Sequence, residues 1–135
     1  MKSDRQVTTE DLDSASLVLF GTAGTNAMIA RFASRLPFEL RPDAADYGLL
    51  FIAPVGKHYA LINSGLPWWT GVDEAVPAAY PWLPAKYREL IAFGDYVLYR
   101  GNIAHVVAEG RFDANWKVPS DAAARLTDAG TVRIH

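Results

Sequence analysis

The chain has 135 residues, of which 50% are apolar, 13 are Lys or Arg and 15 are Asp or Glu. A chain of this length buries enough surface for one hydrophobic core and too little for two. Because the net charge is −2 and neither sign forms a long run, we expect neither nucleic acid nor a membrane surface as a partner. Cysteine is absent, which excludes disulfides, thiolate catalysis and cysteine-based zinc sites.

Two parts of the chain differ in character. Residues 1–15 form a polar N-terminal segment without a basic stretch followed by an apolar one, so no secretory signal is expected and the compartment stays open. Residues 16–135 are expected to form a single α/β domain. No apolar run in them approaches the roughly 20 residues that span a bilayer.

The first strand and helix are predicted near the start of that domain. Residues 17–20 are a continuous apolar run ending at Gly21, a pattern typical of a strand buried on both faces of a parallel sheet. Thr25 or Asn26 can then cap a helix that Pro37 stops. This order predicts the first half of a βαβ unit.

Further strands are predicted over 38–40, 47–54, 57–63 and 131–134, and Ser120 is expected to cap a helix that runs through Leu126. Residues 95–100 and 103–109 are expected to form an antiparallel edge hairpin joined at Gly101 and Asn102. The predicted fold is an α/β three-layer sandwich with a mostly parallel central sheet, Rossmann-like or flavodoxin-like.

Polar residues are expected at the carboxyl ends of two strands, where doubly wound sheets bind ligands. Thr22, Thr25 and Asn26 follow the first strand, and Asn63 and Ser64 end a later one. These five side chains are candidate ligand-binding residues. The glycines around them resemble a dinucleotide fingerprint, but the third glycine is missing, so no cofactor is expected.

No catalytic or metal-binding constellation is expected in this chain. Ser64 could serve as a nucleophile, but it lies in no G-x-S-x-G motif. His58, His105 and His135 show no spacing that marks a base for Ser64 or a shared metal site.

Residues 66–95 are unusually rich in proline and aromatic residues. The candidate interface residues are Trp68, Trp69, Tyr80 and Trp82, because Trp and Tyr dominate binding hot spots. They fit equally well a satellite core beneath a long loop. A short helix is predicted over 84–92.

Several short pieces, in order, carry a family resemblance. They are residues 17–22 with Thr25 and Asn26, then 59–65, 95–99, and 107–113 with Asn115 and Trp116. From Ser16 to Trp116 the chain resembles the domain that follows the catalytic α/β-hydrolase domain in bacterial prolyl-oligopeptidase-like or esterase-like proteins. In that family the Ser-His-Asp machinery lies in a separate upstream domain, so the resemblance assigns no catalytic residue here.

The resemblance implies a noncatalytic accessory or interaction domain whose partner is the catalytic domain of a parent hydrolase, in the same chain or another. The alternative is a small standalone enzyme or ligand-binding protein that uses the carboxyl edge of the sheet. A further alternative is carbohydrate binding through exposed tryptophans.

Overall fold

A computed structural model describes residues 1–70 and 94–135. The strands are β1 Leu17–Phe20, β2 Phe38–Leu40, β3 Tyr47–Val55, β4 His58–Gly65, β5 Tyr96–Arg100, β6 Val106–Gly110 and β7 Val132–Ile134. The α-helices are α1 Thr9–Ser14, α2 Ala27–Phe32 and α3 Ser120–Asp128. Short 3-10 turns cover Asp4–Gln6 and Ala33–Arg35. The helix predicted over 84–92, Tyr80 and Trp82 lie outside the described residues.

Five strands form the main sheet in the order β1-β4-β3-β5-β6. Only β1 and β4 run parallel, and the other three neighbouring pairs are antiparallel. A second, two-stranded antiparallel sheet joins β2 to β7. The protein is therefore mostly β, with a mixed sheet.

The predicted three-layer α/β sandwich, Rossmann-like or flavodoxin-like with a mostly parallel sheet, is wrong. β3 passes to β4 through a turn at Gly56 and Lys57, where Val55 pairs with His58. A parallel pair needs a crossover of a dozen or more residues, so this connection forces an antiparallel hairpin. Gly56 has φ +62°, as expected for the first central residue of a type II′ turn.

Two short helices are specified by side-chain caps. The Asn26 side-chain oxygen accepts hydrogen bonds from the N–H groups of Met28 and Ile29 at the start of α2. The Thr8 hydroxyl and the Asp11 carboxylate form a capping box at the start of α1. These caps satisfy backbone donors that the first helical turn leaves unpaired.

One face of the main sheet, the covered face, packs on α2, α3 and the β2–β7 sheet. Its largest buried side chains include Phe51, Tyr96 and Leu98, with Phe38 and Leu126 contributed from the covering layer. The Phe38 and Phe51 rings lie 4.9 Å apart. This cluster is the main hydrophobic core.

The opposite face, the second face, carries a smaller buried cluster around Leu50, Val97 and Tyr99. Because side chains alternate along a strand, Val18 and Phe20 of β1 point to this second face while Leu17 and Leu19 point to the covered face. The fold thus places the aromatic end of β1 beside the smaller cluster.

Candidate functional site

The sheet edge at β1 carries a group of exposed apolar side chains. Val18 is 55% exposed, Phe20 41% and Trp69 44%. Trp68 lies beneath them, and its ring stacks on Phe20 at 5.4 Å and meets Trp69 edge to face at 4.7 Å. We call these four residues the edge patch.

The loop that carries the two tryptophans is fastened to the sheet by Asn63. The Asn63 side-chain oxygen accepts from the Trp68 N–H at 3.0 Å, and its amide nitrogen donates to the Leu66 carbonyl at 3.0 Å. Asn63 is buried in β4, so these bonds form away from competing water. The side chain therefore sets the position of Trp68 under Phe20.

Tyr99 supports the same loop from β5. Its hydroxyl donates to the Leu66 carbonyl, and its ring lies over Gly48, where any Cβ would overlap it. Burial raises the pKa of Tyr99 above its ordinary value, which the hydrogen bond from Asn63 partly opposes. The phenol stays protonated at neutral pH and keeps its role as a donor.

A groove of about 570 Å³ runs along the outer edge of β1. One wall is β1 with Phe20 and Trp68, and the other is the N-terminal segment, including Val7 and Ala15. One contact joins this second wall to the start of α2, and another joins two parts of the wall to each other. The Asp4 carboxylate accepts from the Ala27 N–H at 2.6 Å, and Lys2 donates to Asp11 at 2.7 Å.

These contacts also change the acidity of the two carboxyl groups. The hydrogen bond from Lys2, with further ones from Thr8, lowers the pKa of Asp11 to about 2. The hydrogen bond from the Ala27 backbone lowers the pKa of Asp4. Both carboxylates are therefore ionised at neutral pH, as their contacts require.

The five candidate ligand-binding residues do meet at the carboxyl ends of β1 and β4, but their polar atoms bond within the protein. Thr25 Oγ1 accepts from the Thr22 N–H at 2.9 Å, and Ser64 Oγ donates to the Gly21 carbonyl at 2.7 Å. Asn26 caps α2 and also donates to the Phe20 carbonyl at 3.0 Å. A ligand at this edge would have to replace these bonds.

Ser64 is only 4% exposed. The three histidines lie elsewhere: His58 bonds to the Asp13 carbonyl at 2.9 Å, His105 lies in the β5–β6 turn, and His135 follows β7. Residues 1–70 and 94–135 contain no group of three His, Asp or Glu side chains placed to hold a metal ion. The same ranges hold no helix with the length and apolar character needed to cross a bilayer.

Of the four candidate interface residues, the structure brings Trp68 and Trp69 together in the edge patch. Sequence reasoning missed Val18 and Phe20 as members of this surface, because a run of four apolar residues predicts burial on both faces. The missing information was the position of β1 at the edge of the sheet. The two tryptophan planes meet at 82°, so they do not form the flat platform on which a sugar ring stacks.

Comparison with known proteins leaves the site to be interpreted from its own geometry. A scan against protein-family models found no matching family, and searches of curated proteins and of solved structures found no match.

Proposed function

We propose that this chain is a noncatalytic protein-interaction domain that binds its partner through the edge patch. The observation that carries the proposal is the exposure of Val18, Phe20 and Trp69 on a base made rigid by Asn63 and Tyr99. Exposed apolar patches commonly mark interaction sites, and tryptophan is enriched among the residues that dominate binding energy.

The rigidity of the patch favours binding energetically. Trp68 is held by its backbone hydrogen bond to Asn63 and by stacking on Phe20. Because the Phe20 ring rests on the fixed Trp68 ring, less of the contact energy is spent on ordering Phe20 when a partner docks. The geometry supports a preformed docking surface.

The partner that we propose is the catalytic domain of a bacterial serine hydrolase, in the same chain or another. This choice rests on the sequence resemblance alone. It makes a prediction of its own, because a serine hydrolase partner reacts with a fluorophosphonate probe.

A position-specific crosslink tests the proposal. The photoreactive residue p-benzoylphenylalanine is placed at Trp69 in source cells, and in a matched control at Arg125, which is exposed on α3. We expect a partner that is captured from position 69 and not from position 125. The purified partner should then bind the wild-type chain and lose about tenfold or more in affinity for Phe20→Ala or Trp69→Ala.

Two results would overturn the proposal. One is equal capture, or no capture, from the two positions. The other is a purified partner whose affinity is unchanged by both substitutions. Labelling of the captured partner by a fluorophosphonate supports the hydrolase identity, and failure to label rejects that identity while leaving the docking surface in place.

A further inference from the structure

We infer that the partner contributes an extended segment that adds as a β-strand to the outer edge of β1. This inference rests on the proposed function, because it specifies how the edge patch is used. The segment is a stretch of polypeptide with apolar side chains at alternate positions.

The backbone of β1 offers half of its hydrogen-bonding groups to such a strand. The Gly21 N–H donates to the Asn63 carbonyl at 3.0 Å, which fixes which residues face β4. In a parallel pair alternate residues bond to the same neighbour, so Leu17 and Leu19 share this direction. The N–H groups of Val18 and Phe20 therefore point away from β4.

Within the part of the chain that the structure describes, no group pairs with those two N–H donors or with the Val18 carbonyl. The Phe20 carbonyl is already bonded to the Asn26 side chain. Two donors and one acceptor thus alternate along an exposed strand edge. This arrangement matches the backbone of an added strand.

The shape of the groove favours an extended peptide as the ligand. The outer edge of β1 forms one wall of the groove of about 570 Å³, and the N-terminal segment forms its far wall. An extended chain fits between the two walls and reaches the β1 backbone, whereas the surface of a folded domain contacts the walls first. The groove therefore favours a peptide segment over a second copy of this domain.

The side chains around the groove predict the pattern of that segment. In an added strand, alternate side chains would lie on the second face beside Val18 and Phe20, and the remainder would point toward Val7 and Ala15. The first environment is apolar, whereas the N-terminal wall also carries the charged side chains of Lys2, Asp4 and Asp11. Apolar residues facing the edge patch would supply affinity, and the backbone would set the register.

The other edge of the sheet is less suited to strand addition. β6 also exposes Val106 and Val107, but a bulge interrupts its pairing with β5 between Leu98 and Tyr99. Glu109 is exposed on the same strand. A bulge and a charge are devices by which proteins block pairing at an edge, and β1 has neither.

A random peptide library displayed on phage is the probe for this inference. The wild-type domain is the bait, and we expect enrichment of peptides with apolar residues at every second position. Synthetic copies are then made with single N-methylated amides. Methylation at alternate positions should lower affinity about tenfold or more, while methylation at the intervening positions should change it little.

A variant of the domain gives a second measurement. Val18→Pro removes an outward N–H, and an edge strand tolerates proline there, so the domain should fold and bind the selected peptides about tenfold more weakly. Val18→Ala shortens the same edge-patch side chain but keeps the N–H, so the tenfold loss in Val18→Pro is measured against Val18→Ala. If Val18→Pro does not fold, the methylated peptides decide.

The outcomes separate this inference from the proposed function. Peptides that need Phe20 and Trp69 but ignore backbone methylation would overturn strand addition and leave the docking surface standing. A library that yields no binding peptide would also overturn strand addition, whereas the crosslink from position 69 decides the docking surface independently.

Discussion

The central strands and the β1 edge are equally apolar in sequence but differ in what surrounds them. Leu49, Leu50 and Phe51 in β3 are at most 1% exposed, whereas Val18 and Phe20 in β1 are 55% and 41% exposed. In the centre the apolar side chains stabilise the fold by burial. At the edge they contribute less to folding, and their exposure leaves them available to a partner.

The largest expected difference comes from one substitution made in both regions. Phe51→Ala opens a cavity in the main core beside Phe38 and should lower the free energy of unfolding by about 3–5 kcal/mol. Phe20→Ala removes only a partly exposed ring and its stacking on Trp68, so about 1 kcal/mol is expected. Urea denaturation of the two variants checks this, and equal losses would contradict the contrast.

The next prediction tests whether Tyr99, in the central part of the sheet, holds the loop that carries the edge-patch tryptophans. Gly48→Ala places a methyl group in the space of the Tyr99 ring, so the tyrosine must move and its bond to Leu66 is disturbed. Overpacking of this kind should cost about 1–3 kcal/mol in thermal or urea unfolding. Gly24→Ala is the control, because a Cβ there finds ordinary space, and its effect should stay within about 0.5 kcal/mol.

Asn63→Ala should remove the side-chain hydrogen bonds that hold the tryptophan loop of the edge patch on β4. The change leaves the buried backbone N–H of Trp68 without its Asn63 acceptor and should lower the free energy of unfolding by about 1–3 kcal/mol. The indole N–H signals of Trp68 and Trp69 should shift in an amide correlation spectrum. Exposed Asn115 offers the control substitution, and an unchanged spectrum for Asn63→Ala would remove its assigned role.

The smallest effect concerns the far wall of the groove. The pKa of Asp11 is about 2, below its ordinary value of 3.8, so the unfolded chain binds more protons between these values. The stabilisation that Asp11 gives is present above about pH 4 and is lost as the pH falls toward 2. The Thr8 N–H, which donates to Asp11 at 2.8 Å, reports this loss in an NMR titration.

Asp11→Asn is the control for that titration. The variant should show no change at the Thr8 amide between pH 4 and pH 2. Persistence of the wild-type transition in the variant would assign the effect to another carboxyl group, such as Asp4, whose pKa is also lowered.

Local sequence signals predicted most of the described elements. The apolar run before Gly21 marks β1, and Asn26 marks the start of α2. The helix ends at Phe32, earlier than Pro37 predicts, and the 3-10 turn Ala33–Arg35 fills most of the interval. Ser120 is the first residue of α3 instead of its cap. These signals succeed because caps and strand ends depend on neighbouring residues.

Strand direction and neighbours were harder to predict. The run Leu49–Leu50–Phe51–Ile52 indicates burial on both faces, which parallel sheets usually provide, but here an antiparallel hairpin has both faces covered at this point. The short turn at Gly56 was the signal that should have outweighed the apolar run. The edge position of β1 follows from the pairing of β3 with β5, which no local pattern encodes.

The small β2–β7 sheet has a consequence for the order of folding. It pairs Phe38 with Ile134, and Arg133 reaches Glu39 across 94 residues of sequence. Closing so long a loop is entropically costly, whereas the β3–β4 hairpin closes locally. We expect the hairpin to form early and the β2–β7 ladder late. Substitutions in β7 should therefore accelerate unfolding and leave the refolding rate nearly unchanged, so this ladder sets how long the native state persists.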